Sequence, residues 1–318
     1  MKKFFPAINK FNKLTFFNNA AGSQVPYQII DNMKTFLING YAQPFDDNII
    51  STYNYQNINN AKQINNILLN NTSNNGTIVF GNSCSNLMYI LSNSIEKYLT
   101  LKNSNIIIAD FNHESCITPF EKIAQKNNLK LKWWSVSIYK NNIKIDYKKL
   151  FKLIDENTDL IVLPHVSNIL GNVLDIKYLK SEIKKINSNT KLLVDGVAYM
   201  PHNLMDVKDT DVDFYVFSYY KLFGLRISSL YIKNNNFDLN IENQNHYFFA
   251  NDNNYENKLQ IGGINYECLS SINGIKDFFL DVGKIFNYAN EKFDRNFIKK
   301  CLNNMKNYEK STNDIFQL

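Results

Sequence analysis

The sequence predicts an α/β protein with a mainly parallel sheet of seven strands flanked by helices, followed by a helical C-terminal segment. Two observations support this prediction. Short apolar runs alternate along the chain with stretches of helical period, which is the pattern of βα units. Most of these runs are continuously apolar, as in strands that are buried on both faces of a parallel sheet. With 318 residues, 44% of them hydrophobic, the chain is long enough for one large domain or two smaller ones.

Seven apolar runs are predicted to form the strands of this sheet. They are Thr77–Phe80, Asn105–Ala109, Leu131–Val136, Leu160–Pro164, Lys191–Val194, Asp213–Phe217 and Ser229–Ile232. The helical patterns before and between them include Tyr27–Leu37, Asn86–Leu99, Ser115–Asn127 and Ile176–Ile186. The last part of the chain, from Ile264 to Leu318, is predicted to be helical with one break near Val282–Gly283.

Charge and composition argue against several classes of protein. The net charge is +6, but the lysines are scattered and only Arg226 and Arg295 are arginines, so we do not expect nucleic-acid binding. No apolar run approaches the roughly 20 residues that span a bilayer, and the N-terminus does not resemble a signal peptide, so we expect a cytoplasmic protein without membrane contact. The four cysteines form no CxxC pair, so neither a zinc site nor a disulfide framework is expected.

The residues directly after the strands are the candidates for a site, because ligands bind at the carboxyl ends of the strands in such sheets. After the first strand, Gly81–Ser85 offers small hydroxyl residues at a helix start, which is either a phosphate site or an ordinary serine cap. His113 follows the second strand, as a ring that stacks on an aromatic ligand or as a loop histidine. Asp195 follows the fifth strand, where it either pairs with a protonated ring nitrogen or caps the next turn.

Lys221 follows the sixth strand within the segment FSYYKLFG, residues 217–224. Aromatic neighbours after an apolar strand would desolvate the amine and favour its neutral form, which is a nucleophile toward aldehydes. The alternative for such a lysine is a surface position with its charged end in water. Each of these signals is weak alone, and their order along the chain carries more information.

The motifs occur in the order NNAAGSQVP, NSCS, NHESCITPF, HVSNILG, VDGVAYMPH, FSYYKLFG and QIGGINYE. This series resembles the aminotransferase class V family of pyridoxal-phosphate (PLP) dependent enzymes, fold type I, and within it the cysteine desulfurase-like branch. The resemblance runs from about Phe16 to Leu318, and VDGVAYMPH followed by DFYVFSYYKLFG is its most specific part. It implies an N-terminal segment (1–20), a PLP-binding large domain (21–263) and a helical segment (264–318) that leads to a missing or truncated small domain.

The resemblance implies a role for each motif residue. Lys221 would form the aldimine with PLP and Asp195 would bind the pyridine nitrogen, while His113 would stack on the ring; these three are the implied catalytic residues. Asn168 would hydrogen-bond the phenolic oxygen of the cofactor. The implied phosphate ligands are Ser83, Cys84, Ser85, Ser218 and Tyr220. The implied residues on the substrate side are Ala20, Ala21 and Gly22.

The family also implies a homodimer, with the stretch 262–265 at the subunit interface, and an amino acid as the substrate. Several positions depart from the family's pattern. Tyr220 replaces a usual histidine, and Gly263 replaces a threonine that reaches the other subunit's phosphate. The phosphate contacts are therefore predicted to be weaker than usual. Cys116 replaces a usual asparagine after the stacking His113, and Ala198 stands where glutamine is common.

The C-terminal region departs most from the family. In relatives, a small domain brings an arginine for the substrate carboxylate and, in desulfurases, the nucleophilic cysteine. Neither Arg226 nor Arg295 matches that arginine, and among the cysteines only Cys116 is a candidate for a thiolate near the ring. The resemblance implies a PLP-dependent transferase or lyase that acts on an amino acid. The alternative is a truncated, catalytically impaired relative that binds PLP or a protein partner without turnover.

Overall fold

Strands form at each of the seven predicted positions in the computed structural model, which describes residues 1–13, 15–72, 75–101, 104–140, 142–234 and 240–316. The strands are β1 (Gly76–Gly81), β2 (Asn105–Ala109), β3 (Lys130–Trp134), β4 (Ser137–Tyr139), β5 (Asn142–Lys144), β6 (Thr158–Pro164), β7 (Lys191–Asp195), β8 (Phe214–Ser218) and β9 (Ser228–Lys233). β4 and β5 pair with each other as a separate hairpin, and the other strands form the seven-stranded sheet.

The strand order in the sheet is β1-β9-β8-β7-β6-β2-β3. β9 is antiparallel to both of its neighbours, and the remaining strands of the sheet point the same way. The prediction of a mainly parallel seven-stranded sheet is therefore confirmed. The pairing places Gly81 opposite Ser228 and Ser228 opposite Ser218, so the end of β1, the start of β9 and the end of β8 lie side by side.

Helices cover both faces of the sheet. They are α1 (Pro6–Lys10), α2 (Tyr27–Asn39), α3 (Ile49–Leu69), α4 (Cys84–Leu101), α5 (Glu114–Lys126), α6 (Tyr147–Leu153), α7 (Ile176–Ile186), α8 (Val207–Thr210), α9 (Tyr255–Leu259), α10 (Tyr266–Ser271), α11 (Asn273–Ile285) and α12 (Arg295–Phe316). Successive strand residues alternate between two cores: Ile107 packs in the core that includes α7 and α12, and Ile106 packs in the core that includes α4 and α5. Within the described residues, no helix is long and apolar enough to cross a membrane.

The sequence pattern missed α3, which has 21 residues. The segment is rich in asparagine, a poor helix former that competes for backbone hydrogen bonds. The fold uses these side chains instead: Asn48 caps the helix by accepting hydrogen bonds from the backbone N–H groups of Ile50 and Ser51. Asn65 is fully buried and accepts a 2.7 Å hydrogen bond from the hydroxyl of Tyr219. Tertiary contacts thus offset a low propensity and tie α3 to the turn after β8.

The predicted break near Val282–Gly283 exists but begins a few residues later in the chain. α11 continues through Gly283 to Ile285, and the chain leaves the helix only between residues 286 and 294. Glycine is needed here for packing, because a Cβ atom at Gly283 would lie 2.4 Å from the ring of Phe297 in α12. The rest of the C-terminal segment is helical as predicted, and Leu318 lies outside the described residues.

A buried ion pair joins α7 to the central strands. The side chains of Lys180 and Asp213 are 5% and 6% exposed and form a short hydrogen bond. Asp213 also accepts a 2.8 Å hydrogen bond from the backbone N–H of Leu192 in β7. The carboxylate therefore fixes β7 against the start of β8, the two strands that end in Asp195 and Ser218. Burial lowers the pKa of Lys180, so the charged amine depends on its partner.

We expect Asp213→Ala to lower the free energy of unfolding by about 3–5 kcal/mol, because it leaves a buried amine without its carboxylate. Chemical denaturation monitored by circular dichroism measures this. The matched control is Asp209→Ala, which removes an exposed ion pair with Lys177 and should leave stability nearly unchanged. Equal effects of the two substitutions would contradict a structural role for the buried pair.

Candidate active site

A cavity of about 240 Å³ lies at the carboxyl ends of the parallel strands. All nine residues with a predicted cofactor contact line it: Ser83, Cys84, Ser85, His113, Asn168, Asp195, Ser218, Tyr220 and Lys221. Its other lining residues are Asn82, Ser115, Val166, Val197, Ala198, Arg226 and Ser228. The topology explains this convergence, because most of these residues directly follow neighbouring strands that end at one edge of the sheet.

One end of the cavity is lined with hydroxyl groups. Ser83 precedes α4, and its hydroxyl accepts a 3.1 Å hydrogen bond from the backbone N–H of Asn86. The residue is therefore a helix cap that also lines the cavity, so the two alternatives drawn from the sequence are compatible. Across the sheet, the hydroxyls of Ser218 and Ser228 are 2.6 Å apart. Together with the N–H groups of Cys84 and Ser85 at the start of α4, this end can accept an anion.

Asp195, the last residue of β7, is 5% exposed. Its Oδ1 accepts a 2.9 Å hydrogen bond from the backbone N–H of Val197, and its Oδ2 accepts a 3.4 Å hydrogen bond from the thiol of Cys116. Burial raises the pKa of the Asp195 carboxyl, and the charges of His113 and Lys221 oppose that rise. A carboxylate in this position is best stabilised by a cationic partner within the cavity.

The thiol of Cys116 is buried and donates a hydrogen bond to Asp195, an arrangement that disfavours its ionised, nucleophilic form. Its sulfur lies 4.0 Å from that of Cys84, and the side chain is fully buried. The interaction with Cys84 and burial raise the pKa of Cys116 well above its usual value. The other two cysteines are also poorly suited to sulfur transfer, since Cys301 is buried and burial raises the pKa of the partly exposed Cys268.

His113 is oriented by the helix that it caps. Its Nδ1 accepts a 3.1 Å hydrogen bond from the backbone N–H of Ser115 and lies 2.8 Å from the Ser115 hydroxyl. In a neutral ring the proton is therefore on Nε2. The side chain is exposed at the cavity, so an aromatic ligand can reach it.

His165 has a structural role, although it also follows a strand. Its ring stacks on that of Tyr199 with centroids 3.4 Å apart, and its Nδ1 lies 3.1 Å from the hydroxyl of Tyr215. Burial lowers the pKa of His165 to about 3, so the ring is neutral. It does not line the cavity.

The turn that carries Lys221 is held by two side chains that the sequence analysis did not single out. The Ser23 hydroxyl donates a 2.9 Å hydrogen bond to the carbonyl of Tyr220 and accepts one of 2.9 Å from the N–H of Phe223. Asn65 of α3 holds the first residue of the turn, Tyr219. Ser23 belongs to the NNAAGSQVP motif, and this was the one sign in the sequence that the segment contributes to the site.

Arg226 is a further cavity residue that sequence reasoning missed. It lies two residues before Ser228, and its guanidinium carbon is 5.3 Å from the centroid of the Tyr220 ring. No carboxylate of the described part of the chain forms an ion pair with it. Arg295, in contrast, lies outside the cavity and donates hydrogen bonds of 2.7 and 2.8 Å to the carbonyls of Leu68 and Met205.

A second cavity of about 610 Å³ adjoins the first, and both are lined by Lys221, Asn168, Val166 and Ala198. The three residues predicted on the substrate side have different positions relative to this cavity. Ala20 lines the second cavity, while Gly22 packs so closely on Tyr220 that a Cβ would lie 3.2 Å from its ring. Ala21 is exposed and lines neither cavity.

The fold and the site define a class: an α/β protein in which a lysine, a buried aspartate and a hydroxyl-lined helix start share one cavity at the carboxyl ends of the strands. The family model for aminotransferase class-V matches residues 15–239, more than half of the chain. This chain therefore belongs to the aminotransferase class-V family, whose members are PLP-dependent.

Two fungal proteins are similar in sequence. An aminotransferase-like protein of Gibberella zeae, FGM3, is 37% identical over 174 residues, which cover 55% of this chain and 42% of the relative. A cysteine desulfurase-like protein of Aspergillus flavus, ustD, is 31% identical over 179 residues, covering 55% of this chain and 40% of the relative. The matches thus span less than half the length of these relatives.

Solved structures of cysteine desulfurases share the fold. The enzyme CsdA of Escherichia coli superposes with a TM-score of 0.71 and 17% identity, over 89% of this chain and 75% of that chain. The apo enzyme of Thermococcus onnurineus has a TM-score of 0.74 and 19% identity, over 89% of this chain and 70% of that chain. At these identities the likeness concerns the fold alone.

Proposed function

We propose that this chain is a PLP-dependent enzyme that acts on an amino acid and holds the cofactor through Lys221. The observation that carries the proposal is that Lys221, Asp195 and His113 line one cavity with the hydroxyl residues at the start of α4. Membership of a PLP-dependent family supports it.

The residues of the cavity fit the functional groups of PLP. Asp195 is buried, and its side-chain hydrogen bonds within the described residues come from neutral donors, so it suits the protonated pyridine nitrogen. The exposed ring of His113 can lie on the cofactor ring. Ser83, Ser218 and the N–H groups of the first turn of α4 suit the phosphate. Asn168 carries the amide that would contact the phenolic oxygen.

When bound, PLP supplies an aldehyde that condenses with amines and a ring that accepts electrons from a bond broken beside the amine. The side chains around it would hold groups in place and move protons. Asp195 would keep the proton on the ring nitrogen, and His113 would keep the ring flat against the cavity wall. Lys221 lines both cavities, so its amine can carry a proton to or from the carbon of a substrate in the second cavity.

We propose that Arg226 supplies the positive charge for the phosphate. The sequence predicts weak phosphate contacts, because Tyr220 replaces a histidine and Gly263 a threonine of the family. Arg226 lines the cavity beside Ser228 and Tyr220, and among the described residues it forms no ion pair with a carboxylate. A guanidinium on the rim of a hydroxyl-lined pocket is well suited to a phosphate, which it can contact through two N–H groups.

The proposal includes a homodimer. Three large apolar side chains before and at the start of α3 face solvent: Tyr41, Phe45 and Ile49 are 66%, 83% and 86% exposed. Residues 41–43 line a surface opening together with residues 263–267 and Asn82. Asn82 also lines the cofactor cavity, so a second subunit on this surface would come next to the phosphate end.

The first test is cofactor attachment. The purified chain mixed with PLP should gain the visible absorbance of lysine-bound cofactor, and Lys221→Ala should lose it. Borohydride reduction and peptide mapping should locate the cofactor on Lys221, with Lys233→Ala as a control that keeps the band. Absence of the band in the wild type would contradict the proposal. A band without turnover of any amino acid would favour the impaired relative.

The second test separates the phosphate from the rest of the cofactor. Arg226→Ala should weaken PLP binding about 10- to 100-fold, because a charge-assisted contact is lost, and should change the binding of pyridoxal, which has no phosphate, only slightly. Arg226→Lys should recover part of the loss. Lys122→Ala, which removes a surface cation above Tyr89, is the control. Equal losses for PLP and pyridoxal would contradict a phosphate contact.

The third test is the oligomeric state. Sedimentation equilibrium should give a dimer for the wild type and a smaller average mass for Phe45→Glu, because a charge would be buried in the interface. Ile138→Glu, on the exposed hairpin of β4 and β5, should remain dimeric. A wild type that stays monomeric at high protein concentration would overturn the proposed dimer.

A further inference from the structure

The second cavity has a chemistry different from that of the first. At about 610 Å³ it is the larger of the two, and carbon-rich side chains dominate its walls. They come from distant parts of the chain: Phe5 and Ile8 at the N-terminus, Pro201 after β7, Phe223 after Lys221, and Met305 and Tyr308 in α12. A cavity assembled from several segments and lined in this way suits an apolar ligand group.

This cavity opens directly onto the reactive lysine. Lys221 and Asn168 belong to the walls of both cavities, as do Val166 and Ala198. Ala198 stands where relatives often have glutamine, so a small apolar side chain lies where the two spaces meet. A molecule with its amine at Lys221 would therefore extend its remaining part into the apolar space.

The charged side chains that line the second cavity limit the class of ligand that it can bind. His202 and Glu309 lie together in the second cavity, with 3.4 Å between Nδ1 and Oε2, and both side chains are half exposed. No arginine is among its lining residues within the described chain. Most of the wall is apolar, so we expect binding energy in this space to come chiefly from apolar contact.

We infer that the substrate is a primary amine with a large apolar group, such as an aromatic or branched aliphatic amino acid or the corresponding amine, and that this group occupies the second cavity. The inference rests on the proposed function, since the amine end must reach the cofactor at Lys221. It predicts discrimination against small or polar amino acids such as alanine and cysteine, which would leave the apolar walls in contact with water.

The test is a titration of the PLP-loaded protein, followed by the change in its visible absorbance. The probes are L-phenylalanine, L-leucine, L-alanine, L-cysteine, 2-phenylethylamine and ethylamine. We expect the large apolar member of each series to bind about 10- to 100-fold more tightly than the small one, as expected for burial of one large side chain. L-Phenylalanine and 2-phenylethylamine differ by one carboxylate, so the ratio of their affinities shows whether the site prefers an amino acid or a simple amine.

Two variants of α1 locate the binding site. Ile8→Glu places a carboxylate in the apolar wall and should remove most of the preference for large probes. Ala7→Glu adds the same charge to the same helix at an exposed position outside the cavity and should retain the preference. Thermal unfolding of both variants verifies that they remain folded.

The outcomes separate this inference from the proposed function. If the cofactor attaches to Lys221 but large and small probes bind equally, the inference is wrong and the proposed function stands. A preference that survives Ile8→Glu would also contradict it, because the apolar group would then bind elsewhere. Failure of PLP to attach to the wild type would overturn both.

Discussion

The burial of the Asp195 carboxylate is the constraint on which the rest of the site depends. It ends β7, the middle strand of the sheet, and is 5% exposed. Its hydrogen bonds come from a backbone N–H and from the thiol of Cys116, which are neutral donors. These reduce the cost of burying the charge without neutralising it. The negative charge can be offset further from the cavity side, where His113 and Lys221 lie and where a cationic ring would fit.

The described residues on the core side of Asp195 provide no cation to neutralise its carboxylate. His165 donates its backbone N–H to the Asp195 carbonyl at 2.7 Å, but its ring is neutral because burial lowers the pKa of His165 to about 3. Tyr199 and Tyr215 enclose that ring by stacking and by a hydrogen bond. None of these three residues therefore brings a positive charge to the carboxylate from the core. A cation that stabilises Asp195 would therefore come from the open side, which faces the cavity.

The sequence predicted those features that depend on local pattern. Strands that are apolar throughout could be located, and the residues that follow them converge because parallel strands end together. The features it missed depend on contacts between distant segments. α3 forms although it is rich in asparagine, because Asn65 is buried against Tyr219. Position 283, inside α11, is a glycine because the ring of Phe297 occupies the space that a Cβ atom would need. Arg226 reaches the cavity only because β9 begins beside the ends of β1 and β8.

The two cavities suit different parts of a bound molecule, one polar and one apolar. The polar cavity offers hydroxyls, a guanidinium and a carboxylate, groups that suit a charged and largely invariant ligand. The apolar cavity also has polar lining residues, among them Gln24, His202 and Glu309, but apolar groups form most of its walls, and it is bordered by α1 and α12, which are distant from each other in the sequence. Electrostatic interactions strengthen as water is excluded, so an apolar group that fills the second cavity would also reinforce the interactions of Asp195 and Lys221 in the first. Under the proposed function, occupation of the apolar space would thus contribute to the chemistry at Lys221 as well as to affinity.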